Sequence, residues 1–156
     1  MKYSFQGHTA LVSGAGSGIG AATARLLAAN GLNVVVSDLQ IEPAQRVVDA
    51  ITQAGGRAVA HAGDVARPET AQAAVDCALQ HFGALQLAVN NAGVGTAPRP
   101  VAEMTPADWQ LVIDINLNGV MHALRAQIPA LLNAGGGAIV NVSSILGLVG
   151  SAGAPA

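Results

Sequence analysis

Short apolar runs alternate along the chain with longer segments in which apolar residues recur at helical spacing. The runs are rich in β-branched residues and comprise Thr9–Ser13, Asn33–Asp38, Ala58–His61, Leu85–Asn90 and Ala138–Ser143. Their apolar character is continuous, as in Val34-Val35-Val36, and continuous apolar runs are typical of strands that are covered on both faces. The pattern therefore predicts a parallel sheet of five strands.

The segments between the runs are predicted to be helices. They comprise Ile19–Asn30, Pro43–Ala54, Pro68–Phe82 and Pro106–Asn133. A proline opens three of them, at the position where a helix tolerates proline best, and Thr105 is suited to cap the last one. Strand and helix thus alternate. This order predicts an α/β fold with three layers, a doubly wound parallel sheet between helices, right-handed crossovers and strand order 3-2-1-4-5.

Composition favours a single globular domain over residues 1–156. Hydrophobic residues make up 51% of the chain and charged residues 10%, which excludes a disordered protein. The formal net charge of −2 gives no basic surface for nucleic acid or an anionic membrane. No apolar stretch reaches the roughly 18 residues of a membrane span. With one cysteine and no secretory signal, we expect a cytoplasmic protein that binds neither membrane nor nucleic acid.

A glycine-rich turn joins the first run to the first helix. Its sequence is Ser13-Gly14-Ala15-Gly16-Ser17-Gly18-Ile19-Gly20. Such a turn lets the backbone approach a pyrophosphate, which then binds the N–H groups at the helix N-terminus. A glycine cluster alone can also be a plain tight turn, but its place between a strand and an Ala-rich helix favours a nucleotide site. The predicted contacts are Gly14, Ser17, Gly18, Ile19 and Gly20.

Asp38 stands at the end of the second run. A carboxylate there accepts hydrogen bonds from the ribose hydroxyls of adenosine and repels a 2′-phosphate. Neither lysine nor arginine lies at positions 37–40 or at position 17 to bind such a phosphate. The alternative is that Asp38 only caps a surface turn. Given the glycine turn, we expect the ribose role and therefore NAD rather than NADP as the cofactor.

Two further strand ends carry residues suited to the same nucleotide. Asp64 and Val65 follow the third run, where a carboxylate and a backbone N–H would hold the edge of an adenine ring. Asn91-Ala92-Gly93 follow the fourth run and let a nucleotide lie close to the backbone. Ligands of open α/β sheets bind beyond the carboxyl ends of the strands. We therefore expect these residues, together with Leu39, at one cofactor site.

Together these motifs resemble those of the short-chain dehydrogenase/reductase family. The resemblance also includes Asp114-Ile115-Asn116-Leu117-Asn118-Gly119 and Ile139-Val140-Asn141-Val142-Ser143-Ser144, all in the family's order and spacing. One departure is Ser13, where the family usually has threonine. The resemblance implies a Rossmann-type fold, a nicotinamide dinucleotide, a small alcohol or ketone as substrate, and a homodimer or homotetramer.

The resemblance assigns catalytic roles to Ser144 and Asn116. The Ser144 hydroxyl would orient the substrate oxygen. Neighbouring strand residues point to opposite faces, so only one of Ser143 and Ser144 is expected to face the nicotinamide, and the family's position is the second. Asn116 would interrupt its helix and hold, by its backbone carbonyl, a water of a proton relay. Without the surrounding motif, the alternative for Asn116 is a polar helix residue turned to solvent.

The family's general acid/base is a tyrosine in a Tyr-x-x-x-Lys helix, expected thirteen residues after Ser144 and so one position past Ala156. The chain's own Tyr3 and Lys2 lie at the opposite end, and the tail Gly147–Ala156 is predicted to be a loop. Two hypotheses stay open. One is a C-terminally incomplete NAD-dependent oxidoreductase that interconverts a secondary alcohol and a ketone, inactive as 156 residues alone. The other is a non-catalytic dinucleotide-binding fragment or pseudoenzyme.

Metal and thiol chemistry are not expected. The histidines lack the spacing of metal ligands, so no metal site is predicted. Cys77 lies in the middle of a predicted helix among alanine and valine. We expect it in the core, with no general base to activate it.

Overall fold

The computed structural model describes residues 8–150. Within this range the chain forms one parallel sheet between layers of helices. The strands are β1 (Thr9–Ser13), β2 (Asn33–Asp38), β3 (Arg57–Ala62), β4 (Leu87–Asn90) and β5 (Ala138–Asn141). Their order is β3-β2-β1-β4-β5, which confirms the predicted order 3-2-1-4-5.

Helices connect the strands on both sides of the sheet. They are α1 (Gly18–Ala29), α2 (Ile41–Gln53), α3 (Pro68–Phe82), α4 (Pro106–Val112) and α5 (Gly119–Asn133). Two short 3₁₀ turns lie at Val101–Glu103 and Ile145–Gly147. In the part of the chain that the structure describes, no helix combines the length and apolarity needed to cross a bilayer.

Two apolar cores, one on each face of the sheet, explain the continuous apolar runs. Val34 and Val36 of β2 pack in one core with residues of α1 and α2. Val35 points the other way and packs with residues of α3 and α5. Because alternate residues of a strand point to opposite faces, a strand buried on both sides needs an apolar residue at every position. The predicted three-layer α/β/α arrangement is therefore confirmed.

Several predicted element boundaries are wrong by one or two residues. β3 extends one residue beyond Ala58–His61 at each end, β4 begins only at Leu87, and α1 and α2 each end one residue early. The second helix begins at Ile41 rather than at Pro43. Since the first N–H groups of a helix have no partner within it, a proline in the first turn removes no helical hydrogen bond.

The predicted helix Pro106–Asn133 is interrupted. α4 begins as expected, capped by Thr105, whose Oγ1 accepts a hydrogen bond of 3.1 Å from Asp108 N. The backbone then widens into a π-helical turn at Ile113–Asn118, which contains Asn116, before α5 begins. The resemblance implied a break of the helix at Asn116, and the structure has one. Such π turns occur frequently at functional sites.

The end of the described chain departs from the predictions in two ways. β5 ends at Asn141 rather than at Ser143, and Gly147, predicted to lie in a loop, is the last residue of a 3₁₀ turn. β5 ends there because its partner β4 also ends, with Asn90 paired to Asn141. The rest of the predicted tail, residues 151–156, lies outside the described residues, as do Lys2 and Tyr3.

Candidate functional site

A cleft of about 540 Å³ opens beyond the carboxyl ends of the central strands. The ends of β1, β2, β3 and β4 and the π turn all contribute to its lining. The lining residues are Gly14, Ser17, Gly18, Ile19, Asp38, Leu39, Gly63, Asp64, Val65, Asn91, Ala92, Gly93, Val94 and Ile115. Every predicted cofactor-binding residue except Gly20 is in this set. Gly63, Val94 and Ile115 also line the cleft and were not predicted for this site.

The glycine turn brings β1 close to the end of β4. Gly14 has a φ of +61°, and a Cβ added there would lie 2.8 Å from Ala92 Cα. Gly20 does not line the cleft but packs beneath it, since an added Cβ would collide with the Gly14 carbonyl oxygen. Gly20 thus allows α1 to approach the turn closely, and its contact with a cofactor stays a prediction.

The start of α1 offers backbone donors to the cleft. Ser17 is the N-cap residue, its backbone is extended, and its side chain accepts no hydrogen bond from the helix. The first N–H groups of a helix have no acceptor inside it, and together with the helix dipole they attract anions. These N–H groups lie beside the glycine turn, whose backbone conformation is readily adopted only by glycine. They are therefore suited to bind a pyrophosphate.

Hydrogen bonds of Ser13 and Asn91 hold the end of β1 against the end of β4. Ser13 Oγ accepts hydrogen bonds from Asn91 N at 3.1 Å and from Ala92 N at 3.2 Å. Asn91 Nδ2 donates back to the carbonyl oxygens of Ser13 at 3.0 Å and of Gly14 at 3.2 Å. A hydroxyl oxygen can accept two such bonds in serine as in threonine. Ser13 therefore keeps the hydroxyl that threonine, usual in the family at this position, would provide for these two hydrogen bonds.

The two carboxylates of the cleft are each held by backbone N–H groups. Asp38 Oδ2 accepts a hydrogen bond of 2.8 Å from Gly16 N, and its carbonyl accepts one of 2.9 Å from Gly63 N. Asp64 Oδ1 accepts one of 3.0 Å from Ala66 N, in the turn before α3. Among the described residues that line the cleft, none is basic. The described lining therefore combines two carboxylates with no basic side chain.

Asn116 lies at the rim of the cleft. Its Nδ2 donates to the Val94 carbonyl at 2.8 Å, and its Oδ1 accepts from Val94 N at 2.9 Å. The side chain is therefore engaged with the loop after β4 and is not simply turned to solvent. The pair with Val94 uses one donor and one acceptor site of the amide, which keeps a second N–H and a second lone pair.

Ser144 lies at the same edge of the sheet but does not line the cleft. It follows β5, where Val142 N still donates to the Asn90 carbonyl at 2.9 Å before the chain leaves the sheet. Ser144 Oγ accepts a hydrogen bond of 3.2 Å from Leu146 N and so caps the 3₁₀ turn. Ser143 and Ser144 both lie outside the strand, so the expected strand alternation does not decide which of them faces the cleft.

A buried amide cluster lies beneath the ends of β4 and β5. Asn90 and Gln127 exchange two hydrogen bonds of 3.1 and 2.8 Å, and Asn90 Nδ2 also donates to Asn141 Oδ1 at 2.8 Å. Gln127 is 2% exposed and Asn90 4%. Gln127 was not predicted; its signal in the sequence is a polar residue on the side of α5 that also buries Ala130 and Leu131.

Other titratable groups lie away from the cleft. Burial lowers the pKa of His61, whose Nδ1 is 3.1 Å from Ser37 Oγ. Cys77 is half-buried and packs against the core that contains Val35, and this burial raises the pKa of its thiol. The nearby His81 Nδ1 lies 2.9 Å from the Cys77 carbonyl oxygen. Across residues 8–150 no group of three or more potential ligands is placed to hold a metal ion.

Comparison with known proteins gives consistent matches over nearly the whole chain. The family model described as short chain dehydrogenase matches residues 8–156. A cyclohexanol dehydrogenase of Acinetobacter sp. (strain SE19) is 50% identical over 150 residues, which are 96% of this chain and 60% of that protein. A cis-4-hydroxycyclohexanecarboxylate dehydrogenase of Sinomonas cyclohexanicum is 45% identical over 152 residues, or 97% and 61%.

A solved structure agrees with the fold. A metagenomic short-chain oxidoreductase in complex with NADP superimposes with a TM-score of 0.88 at 38% identity, over 94% of this chain and 66% of that one. The chain spans about three fifths of the length of the curated relatives described above.

Proposed function

The chain belongs to the short-chain dehydrogenase family, and we propose that the complete protein that contains it is an NAD-dependent oxidoreductase that interconverts a secondary alcohol and a ketone. The observation that carries the proposal is the cleft at the carboxyl ends of the strands. It combines backbone N–H groups for a pyrophosphate with a carboxylate, Asp38, at the end of β2. Both features suit a dinucleotide, and the carboxylate favours one without a 2′-phosphate.

Different residues of the cleft would bind different parts of the cofactor. The N-terminus of α1 would bind the pyrophosphate, Asp38 and Leu39 the adenosine ribose, and Asp64 with Val65 the adenine edge. Ala92 and Gly93 leave room against the backbone. The absence of a side chain at Gly14, where a Cβ would lie 2.8 Å from Ala92 Cα, lets the glycine turn and the end of β4 lie close together beside this space. When bound, the nicotinamide ring accepts or donates the hydride.

Ser144 and Asn116 would act on the substrate side. The Ser144 hydroxyl would hold the alcohol or carbonyl oxygen. Its oxygen accepts one hydrogen bond from Leu146 N, and a hydroxyl then still has its proton and a second lone pair for the substrate. Asn116 would hold the relay water by its backbone carbonyl. The proton itself needs a general acid/base. We propose that a tyrosine at about position 157, with a lysine four residues later to lower its pKa, provides it, in accordance with the family resemblance.

The names of the relatives suggest a substrate class. Two of them act, by their names, on hydroxyl groups of cyclohexane rings. We propose a secondary alcohol on a six-membered carbon ring as the substrate of the complete protein. The structure with NADP shows that a similar chain can accept the other coenzyme, so the preference for NAD rests on Asp38 and on the lack of a basic residue in the cleft.

The test has a sequence part and an assay part. The codons after Ala156 should encode Tyr-x-x-x-Lys, and the purified complete protein should form NADH from NAD and cyclohexanol. Formation of NADPH from NADP should be slower. A protein without the Tyr-x-x-x-Lys motif, or one that forms neither reduced coenzyme with any of a panel of cyclic and acyclic alcohols, would reject the oxidoreductase proposal.

One observation favours a second function for the 156-residue chain by itself. No tyrosine occurs among residues 8–150, whereas the cofactor cleft lies entirely within them. If the chain occurs by itself, we propose that it is a dinucleotide-binding module without activity. Binding of NADH without turnover by the 156-residue chain would support this function, and absence of binding would reject it.

The complete protein is also proposed to be a homodimer or homotetramer. The surface of the π turn and α5 supports this, since it presents an apolar groove formed by Leu117, Val120, Met121, Leu124 and Ile128. Sedimentation of the complete protein measures its oligomeric state directly. A monomer at micromolar concentration would reject this part of the proposal.

A further inference from the structure

Gly16 is used differently from the other glycines of the turn. Its φ is not in the left-handed region, so backbone conformation does not demand glycine at this position. The demand is steric. A Cβ added to Gly16 would lie 2.6 Å from Pro43 Cβ and 2.8 Å from Asp38 Oδ2. Real Cβ atoms do not come so close to their neighbours, so a larger residue at position 16 must displace α2 or the Asp38 carboxylate.

The same residue holds that carboxylate. Gly16 N donates to Asp38 Oδ2 at 2.8 Å, a distance typical of a charge-assisted hydrogen bond. The Asp38 carbonyl is fixed by Gly63 N at 2.9 Å. Within residues 8–150 no hydrogen bond reaches the other carboxylate oxygen, and Asp38 lines the cleft. One oxygen is thus fixed by the turn while the residue as a whole faces the ligand space.

We propose that Gly16 is a positioning residue that sets coenzyme choice through Asp38. The inference rests on the proposed binding of NAD in this cleft. A carboxylate that is already fixed needs no reordering when it accepts the ribose hydroxyls, and it stays where a 2′-phosphate would meet its charge. A side chain at position 16 displaces the carboxylate, which breaks its hydrogen bond with the backbone N–H of that residue and opens space for that phosphate.

A double-mutant cycle in the complete protein tests the proposal. Dissociation constants for NADH and NADPH are measured for wild type, Gly16→Ala, Asp38→Ala and the double variant. Gly16→Ala should reduce the preference for NADH about tenfold or more, the loss expected for one hydrogen bond to a charged group. In the Asp38→Ala background, Gly16→Ala should change the preference no further. Additive effects of the two substitutions would overturn the proposal, because Gly16 would then act independently of Asp38.

A matched control is available in Gly95→Ala. Gly95 also has a φ outside the left-handed region, and an added Cβ meets no atom within 4 Å. This variant should keep the wild-type preference. A loss of preference as large as that of Gly16→Ala would mean that any glycine substitution near the cleft has this effect, and it would overturn the specific role of Gly16.

A second measurement covers the case in which Gly16→Ala does not fold. With ¹⁵N-glycine labelling, the Gly16 amide should be protected from hydrogen exchange in the wild type and should lose that protection in Asp38→Ala. An amide unaffected by Asp38→Ala would overturn the proposal.

Failure of the wild type to bind either coenzyme would reject the proposed function itself. A wild type that prefers NADPH rejects the NAD assignment and this inference with it, whereas unchanged preference in Gly16→Ala rejects this inference alone.

Discussion

Asn116 pairs with the backbone of Val94 through both ends of its side-chain amide, with hydrogen bonds of 2.8 and 2.9 Å. The two residues are 22 positions apart, and the pair joins the π turn to the loop that follows β4. Since Val94 lines the cleft, this pair fixes one rim of the cleft to the element that would carry the proton relay.

Asn116→Ala should release this rim. Both hydrogen bonds are lost, and a typical intramolecular hydrogen bond contributes about 1 kcal/mol to stability. We therefore expect faster hydrogen exchange at the Val94 amide, by about tenfold or more. The Leu11 amide in the central strand β1 is the internal reference and should keep its rate. An unchanged Val94 rate would show that other contacts hold the loop.

Ser144→Ala should affect the reaction and leave coenzyme binding intact. Removal of one donor to the reacting oxygen costs about 100- to 1,000-fold in kcat. In the complete protein we expect a loss of this size in alcohol oxidation, with an unchanged dissociation constant for NADH. Ser143→Ala is the matched control, because the strand ends before both serines. A larger loss in Ser143→Ala than in Ser144→Ala would exchange the proposed roles of the two hydroxyls.

Much of the fold could be predicted because its causes are local. Val34, Val35 and Val36 indicate a strand buried on both faces, and the structure sends them to opposite cores. Contacts between distant residues could not be predicted in this way. The hydrogen bond between Gly16 and Asp38 depends on how two strand ends meet in the sheet, and neither local sequence contains that information. Gly16 was for that reason overlooked beside Gly14, Gly18 and Gly20.

The same limit applies to the substrate side of the site. Asn116 could be placed because its flanking residues form a recognisable motif, while the pairing with Val94 could not. Gln127 belongs to no motif, and its importance is visible only from its burial and its bonds to Asn90. Buried side chains that form hydrogen bonds with residues distant in the sequence give only a weak sequence signal, which is a polar residue at a position where the pattern expects an apolar one.

Gln127→Leu should destabilise the protein. The substitution fits an apolar surrounding but leaves Asn90 Oδ1 without its donor, and an unsatisfied buried polar group costs about 1–3 kcal/mol. Urea unfolding of the complete protein should show this loss in the free energy of unfolding. The exposed Gln45→Leu on α2 is the control and should stay within about 0.5 kcal/mol. Equal effects of the two substitutions would contradict a structural role of the amide cluster.

His61 should make stability depend on pH. Burial lowers its pKa below the value of about 6.5 that it has when unfolded. In acid, the unfolded chain therefore binds a proton that the folded protein resists, and stability falls as the pH drops below about 6.5. The melting temperature should decrease in that range, and less steeply in His61→Gln. A wild-type slope in His61→Gln would assign the pH dependence to other groups.

The free edge of β5 leads to a prediction about the 156-residue chain expressed by itself. Within residues 8–150 this strand pairs only with β4, so the backbone groups along its other edge have no strand partner. The strand also exposes an apolar side chain, since Val140 is 51% exposed. Unpaired apolar edges promote association between chains.

We expect the isolated chain to self-associate in sedimentation experiments, to bind a hydrophobic dye and to melt without a cooperative transition, whereas the complete protein should melt cooperatively. A monomeric isolated chain with a sharp melting transition would contradict this expectation and favour the dinucleotide-binding module, because residues 1–156 would then suffice for a stable fold.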